Sequence, residues 1–153
     1  MKRQQITIME TISSRYFSLE ELTRSKTALQ RHLDNTPDQT TIEHLKALVS
    51  QILDPMRVFW GSPLYVNSGY RSRAVNAAVG GARNSQHVTG DAVDITAGSP
   101  QKNRKLLGLV LQHAEELGFD QIIAEKCDSK GNPRWLHISR SNQPRNQLIF
   151  IKS

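Results

Sequence analysis

The sequence predicts an α+β domain, an antiparallel sheet flanked by helices, and three observations lead there. Apolar residues recur at helical spacing in two long segments, 40–59 and 99–117. Short alternating or β-branched runs gather in the second half of the chain. Helices thus come early and centrally while the late strands are joined by turn-rich links, an order that fits helices segregated from a hairpin sheet.

The elements follow in order. Ser18-Leu19-Glu20-Glu21 has capping-box spacing and opens a short helix through Leu22. In the segment 40–59, Leu45, Leu48, Val49, Ile52, Leu53 and Met56 form one apolar face, and Pro55 is expected to kink or end that helix. Pro63 to Ser68 alternates Leu64 and Val66 against Tyr65 and Asn67, the pattern of a strand. A brief helix over Ser72 to Val79 is closed by Gly80-Gly81. Ala92 to Thr96 reads as a strand bounded by Gly98 and Pro100. Ser99 to Leu117 carries Leu106, Val110, Ala114 and Leu117 on a stripe, with Gly118 as its stop. Phe119 to Lys126 and Arg134 to Ser139 are strands around a turn-rich link, and Leu148 to Ile151 adds a last one. Residues 1–16 read as a short polar leader and 17–153 as a single domain.

Composition narrows the function classes. A chain of 153 residues is long enough to bury a core without staples. Its single cysteine, Cys127, excludes an internal disulfide and a Cys-rich zinc site, and nothing in the sequence pairs that thiol with a base. The net charge of +6 favours an anionic partner such as a wall polymer. Lys and Arg are scattered, however, gathering only loosely at positions 71, 73, 83, 102, 104 and 105, and the aromatic residues are few and dispersed. Nucleic acid is therefore not the expected partner. No apolar run is long enough for a membrane span. The N-terminus has Lys2 and Arg3 but no apolar stretch after them, so the chain is expected to be made without a signal peptide, in the cytoplasm, as a monomer.

The chemistry is concentrated in Ser85-Gln86-His87-Val88-Thr89-Gly90-Asp91-Ala92-Val93-Asp94 and in Trp135-Leu136-His137-Ile138-Ser139. Two imidazoles and a carboxylate, His87, His137 and Asp94, can supply three protein ligands to one catalytic zinc and leave a fourth position for water. Strand parity puts Asp94 opposite the apolar pair Val93 and Ile95, and puts Trp135, His137 and Ser139 on one face away from Leu136 and Ile138. If the last link is a hairpin, Glu125 stands opposite either Trp135 or His137, where a carboxylate can take a proton from water and pass it to a leaving amine. His32, His44 and His113 lie in a loop and in helices without a His-x-x-x-His pair and read as ordinary residues.

Around these residues the chain resembles the zinc D-Ala-D-Ala carboxypeptidases and related peptidoglycan peptidases, particularly the small single-domain branch common among phage and prophage lytic proteins. The resemblance rests on Ser68-Gly69-Tyr70-Arg71-Ser72, Asn76, Val79-Gly80-Gly81, Ser85-Gln86-His87, Gly90, Ala92, Asp94-Ile95 and Trp135-Leu136-His137-Ile138, with outer matches at Phe17 to Leu22, Asp34 to Pro37 and Leu53 to Arg57. It implies the α+β fold of the hedgehog and D,D-peptidase group. It implies zinc ligands at His87, Asp94 and His137, and Arg71 in the cleft to stabilise a polarised carbonyl or grip a carboxylate. Ser85 and Gln86 would bind substrate or support the ligands. The implied reaction is hydrolysis of peptidoglycan stem peptides by attack of zinc-bound water, as a carboxypeptidase or an endopeptidase, with action at the cell wall after a phage-type release. One position departs from the pattern. Where some members carry a catalytic acid three residues before the last histidine, this chain has Arg134. That leaves Glu125 as the base with Asp120 and Asp128 as rivals, and keeps a non-catalytic zinc-containing wall-binding module as the alternative.

Overall fold

The computed structural model describes residues 12–153. Of the expected leader, residues 1–11 lie outside the described residues; within the rest, Ile12 is buried and the Ser14 hydroxyl donates to Asp54 at 2.7 Å.

The helices begin where the sequence supplies caps. In α1 (Leu19–Thr23) the Ser18 hydroxyl accepts the Glu21 N–H at 3.1 Å, and in α2 (Lys26–Arg31) Ser25 does the same for Ala28. Asp38 caps α3 (Gln39–Leu48), which continues through a π-helical turn (Val49–Leu53) into α4 (Asp54–Trp60). Pro55 therefore does not end the helix. The Asp54 N–H reaches back five residues to Val49, and this widened turn makes room for a ring that brings no donor of its own. Gly61, at φ 77°, closes the run. All six apolar positions expected to face the core are at most 2% exposed.

Five strands form one sheet in the order β1-β2-β4-β3-β5. They are β1 (Tyr65–Ser68), β2 (Ala92–Thr96), β3 (Gln121–Cys127), β4 (Trp135–Ser139) and β5 (Gln147–Lys152). The first four pair antiparallel, as expected, but β5 runs parallel to β3, so the sheet is mixed rather than antiparallel throughout. Asp120 supplies the physical reason. Placed just before β3, it accepts the Arg145 N–H on its carboxylate and the Gln147 N–H on its carbonyl, both at 2.9 Å, which ties the start of β5 beside the start of β3. Aligned starts make a parallel pair.

Between β1 and β2 lies α5 (Arg73–Ala78), capped by Ser72. The helix expected over 99–117 is two pieces, α6 (Pro100–Gln112) and α7 (Ala114–Leu117), broken at His113 where the imidazole stacks on Phe59 with ring centroids 4.2 Å apart. Leu106, Leu107, Val110 and Leu117 pack with the α3–α4 face against Val93, Ile95, Ile122, Leu136 and Ile138 of the sheet. One buried polar residue joins helix to sheet. Asn103 accepts the Ala97 N–H at 2.6 Å and donates to the carbonyls of Pro133 and Arg134 at 3.1 and 2.9 Å, stapling the end of β2 to the start of β4. Asn103→Leu strands these backbone groups and is expected to cost about 3 kcal/mol, measurable by urea unfolding. No helix among the described residues is long and apolar enough to cross a membrane.

Candidate metal centre and cleft

Register brings the first two candidate ligands together. Asp94 of β2 pairs directly with His137 of β4, so the carboxylate and imidazole stand side by side on the sheet face away from the core. The His137 Nδ1 lies 3.1 Å from Asp94 Oδ1.

His87 arrives from the loop before β2, and that loop is built turn by turn. Ser85 accepts the His87 N–H on its hydroxyl at 3.2 Å and the Val88 N–H on its carbonyl at 3.1 Å, while the Gln86 carbonyl accepts the Asp91 N–H at 2.9 Å. Gly90, at φ 80°, sits where a Cβ would meet Thr41, so this turn requires glycine. The ring is then fixed by the chain after β1. His87 Nδ1 is 2.7 Å from the Gly69 carbonyl, and Gly69 itself packs so tightly against the Leu22 backbone that no side chain fits. Asn35, which the sequence offers only as part of an outer match, holds the same segment by donating to the Thr23 and Tyr70 carbonyls and accepting the Ser72 N–H. An asparagine beside a turn reads locally as a turn former, and its long-range partners leave no mark in the sequence.

These bonds determine what the group can hold. A carbonyl only accepts, so His87 Nδ1 donates there, and an Nε2 without a proton would present its lone pair to Asp94 Oδ1 at 3.2 Å. Lone pair facing lone pair is stable only with a cation or an extra proton between them. The donor atoms of His87, Asp94 and His137 all lie within 4.8 Å of one another, and among the described residues they are the group with metal-binding composition. Nitrogen and carboxylate donors in this number fit zinc. With a proton rather than a cation between the groups, burial would raise the Asp94 pKa, but the hydrogen bonds from His137 and His87 prevail and hold it well below the usual carboxylate range.

A cleft of about 350 Å³ surrounds the group and includes Arg71, Ser85, Gln86 and Glu125 in its lining. The Arg71 guanidinium is 4.0 Å from Asp94 Oδ2, and its backbone N–H bonds to the His87 carbonyl at 3.0 Å. Its Nε has no hydrogen-bond partner among the described residues. Of the two registers left open for Glu125, the structure takes the one opposite Trp135, with Ile123 facing His137. Burial, and then the negative charge of Asp94, raise the Glu125 pKa. Arg134, just before β4, is exposed.

The rivals of Glu125 have other duties. Asp128 organises the β3–β4 turn by accepting the N–H groups of Lys130 and Asn132. Asp120 is buried and takes both Arg145 guanidinium arms, at 2.9 and 2.7 Å, together with the Gln86 amide at 2.9 Å. Gln86 is thus held from behind by an ion pair that Arg145, another residue missed from the sequence, brings from the far end of the chain. The Arg145 hydrogen bond is the main cause lowering the Asp120 pKa, to about 2. Its contribution to stability is therefore complete above the unfolded value near 3.8 and is lost as pH falls through about 2. Asp120→Asn is expected to be less stable than the parent by about 2 kcal/mol at neutral pH, with the two melting curves converging in acid.

His32, His44 and His113 stand outside the group, as expected: His32 ends α2, His44 bonds to the Thr89 carbonyl, and His113 to Glu116. Cys127 is buried, which raises its thiol pKa, and its Sγ donates to the Ala124 carbonyl.

A model of the peptidase M15 family matches residues 15–138, and the chain belongs to that family. Over 72 residues, 46% of the chain, it is 50% identical to the zinc D-Ala-D-Ala carboxypeptidase of Streptomyces albus G, of which it spans about a quarter, 26% of the length. Among solved structures it is similar to the L-Ala D-Glu endopeptidase ChiX of Serratia marcescens, with 19% identity, a TM-score of 0.46, and coverage of 67% of this chain and 87% of the other.

Proposed function

We propose that the protein is a zinc-dependent peptidase that hydrolyses peptide bonds in peptidoglycan stem peptides. The observation that carries this reading is the His87–Asp94–His137 group, three electron-pair donors converging beside a carboxylate and a guanidinium in one cleft. His87 Nε2, Asp94 Oδ1 and His137 Nδ1 would hold a single zinc ion. Zinc supplies, when bound, a Lewis acid that polarises a carbonyl and acidifies water.

The chain's own groups account for the rest. The Glu125 carboxylate makes no hydrogen bond among the described residues, its backbone carbonyl alone accepting the Arg134 N–H, so it is free to take a proton from water and return it to the leaving nitrogen. Arg71, held against Asp94, directs positive charge to the oxygen on which negative charge develops. Gly69 and Ser85 fix His87, and Gln86, whose amide nitrogen donates to Asp120 and the Arg140 carbonyl, presents its amide oxygen to the peptide. The scattered positive charge would hold the protein on an anionic wall. The name of the Streptomyces relative makes D-Ala-D-Ala the first bond to test.

Glu125 within the cleft favours the enzyme over the non-catalytic wall-binding module. Incubation of the zinc-loaded protein with purified sacculi is expected to release fragments, identified by mass spectrometry, whereas His87→Ala releases none. Zinc and wall binding without release would establish the module instead.

A further inference from the structure

The cleft does not stop at the metal-binding group. On the other side of Arg71, Asp94 and Glu125, which line both spaces, a second cavity of about 380 Å³ runs past Trp135 to the junction of α1 and α2. A peptide lying across the group can therefore occupy two arms.

The arms differ in charge. In the first, Arg145 is neutralised by Asp120. In the second, the carboxylates are those of Asp94 and Glu125 at the inner end, while Arg24 and Lys26 stand at the outer end, both exposed. Neither cation enters an ion pair among the described residues. Arg24 is placed by the α1 cap, where its N–H bonds to the Glu20 carbonyl, and Lys26 follows two residues later as the first position of α2. The backbone thus holds two positive charges at one rim. Trp135 walls the passage between this rim and the reacting centre, and its Nε1 has no partner among the described residues.

We infer that Arg24 and Lys26 form a carboxylate-binding subsite, and that the arm past Trp135 receives a carboxylate-bearing part of the peptide. Two carboxylates of a stem peptide share this chemistry: the free α-carboxylate of a γ-linked D-glutamate and the C-terminus. The first implies a bond cut inside the chain, the second a bond cut near its end. The inference rests on the peptidase reading for the meaning of the cleft, but binding tests it separately.

The probe is fluorescein-labelled L-Ala-γ-D-Glu-L-Lys-D-Ala-D-Ala, used free, amidated at glutamate, or amidated at the C-terminus. Its affinity is measured by anisotropy on zinc-loaded Glu125→Gln, with and without Arg24→Ala and Lys26→Ala, and its hydrolysis on the parent with and without the same pair. Removal of both cations is expected to weaken binding of the free peptide about fivefold and to raise KM with kcat unchanged, the modest effect of exposed charges. Arg24→Lys with Lys26→Arg should restore it. The peptide whose amidation makes the two proteins equal identifies the carboxylate. Equal affinities for all three peptides, or no effect of the double variant, overturn the subsite. Carboxylate-dependent binding without hydrolysis by the parent overturns the peptidase reading and leaves the subsite standing.

Discussion

Glu125→Gln is expected to load zinc as the parent does and to hydrolyse stem peptide roughly 10²- to 10⁴-fold more slowly, the usual cost of losing a group that moves protons in the transition state. The amide keeps the shape of the carboxylate and its place opposite Trp135 but cannot accept a proton at neutral pH. Zinc content by elemental analysis and kcat on the same preparation separate the two roles. Full turnover would transfer the proton to another group. The parent's pH profile carries a second mark. Burial, followed by the charge of Asp94, lifts Glu125 above its ordinary value of 4.5. A base works only when ionised, so kcat/KM should rise with pH along an acid limb centred above that value.

Asp94→Ala is expected to abolish zinc binding at micromolar metal and with it all hydrolysis. Asp94 is the anionic member of the group, and both imidazoles meet it on one oxygen, at 3.2 and 3.1 Å. The loss should exceed the roughly 10- to 100-fold that removal of an outer hydrogen-bond partner costs a metal site. Chelation of the parent should reproduce the variant, and added zinc should rescue the parent alone. A variant that retains stoichiometric zinc would contradict the ligand set.

What the sequence conveyed about this molecule was local. The Ser18 cap, the apolar stripe from Leu45 to Met56 and the alternation around Asp94 and His137 are short-range patterns, and each matches the structure closely. Parity along two strands was enough to place Asp94 and His137 on one face, although nothing local says that they are register partners. The parallel course of β5 was illegible because it is set by Asp120 gripping Arg145, a contact across 25 residues between an acid the sequence offers as a rival base and an arginine it does not single out. Of the two outcomes the sequence left open at Pro55, a kink or an end, the helix does not end, and the π turn by which it continues is not encoded in helical periodicity. Asn35, Asn103 and Gly69 position the cleft through backbone contacts with distant segments, and distance along the chain conceals such work.

The direct pairing of Asp94 with His137 would also make a metal held there an inspector of strand alignment. A slip of one residue between β2 and β4 would turn one member of the pair into the core and abolish their convergence. Only correctly registered molecules could then bind zinc, and a ligand of the native state alone draws the population toward that state as its concentration rises. Metal supply would thereby act as a proofreading force on folding, and the fraction of chains loaded at saturation would count the molecules whose central strands are aligned.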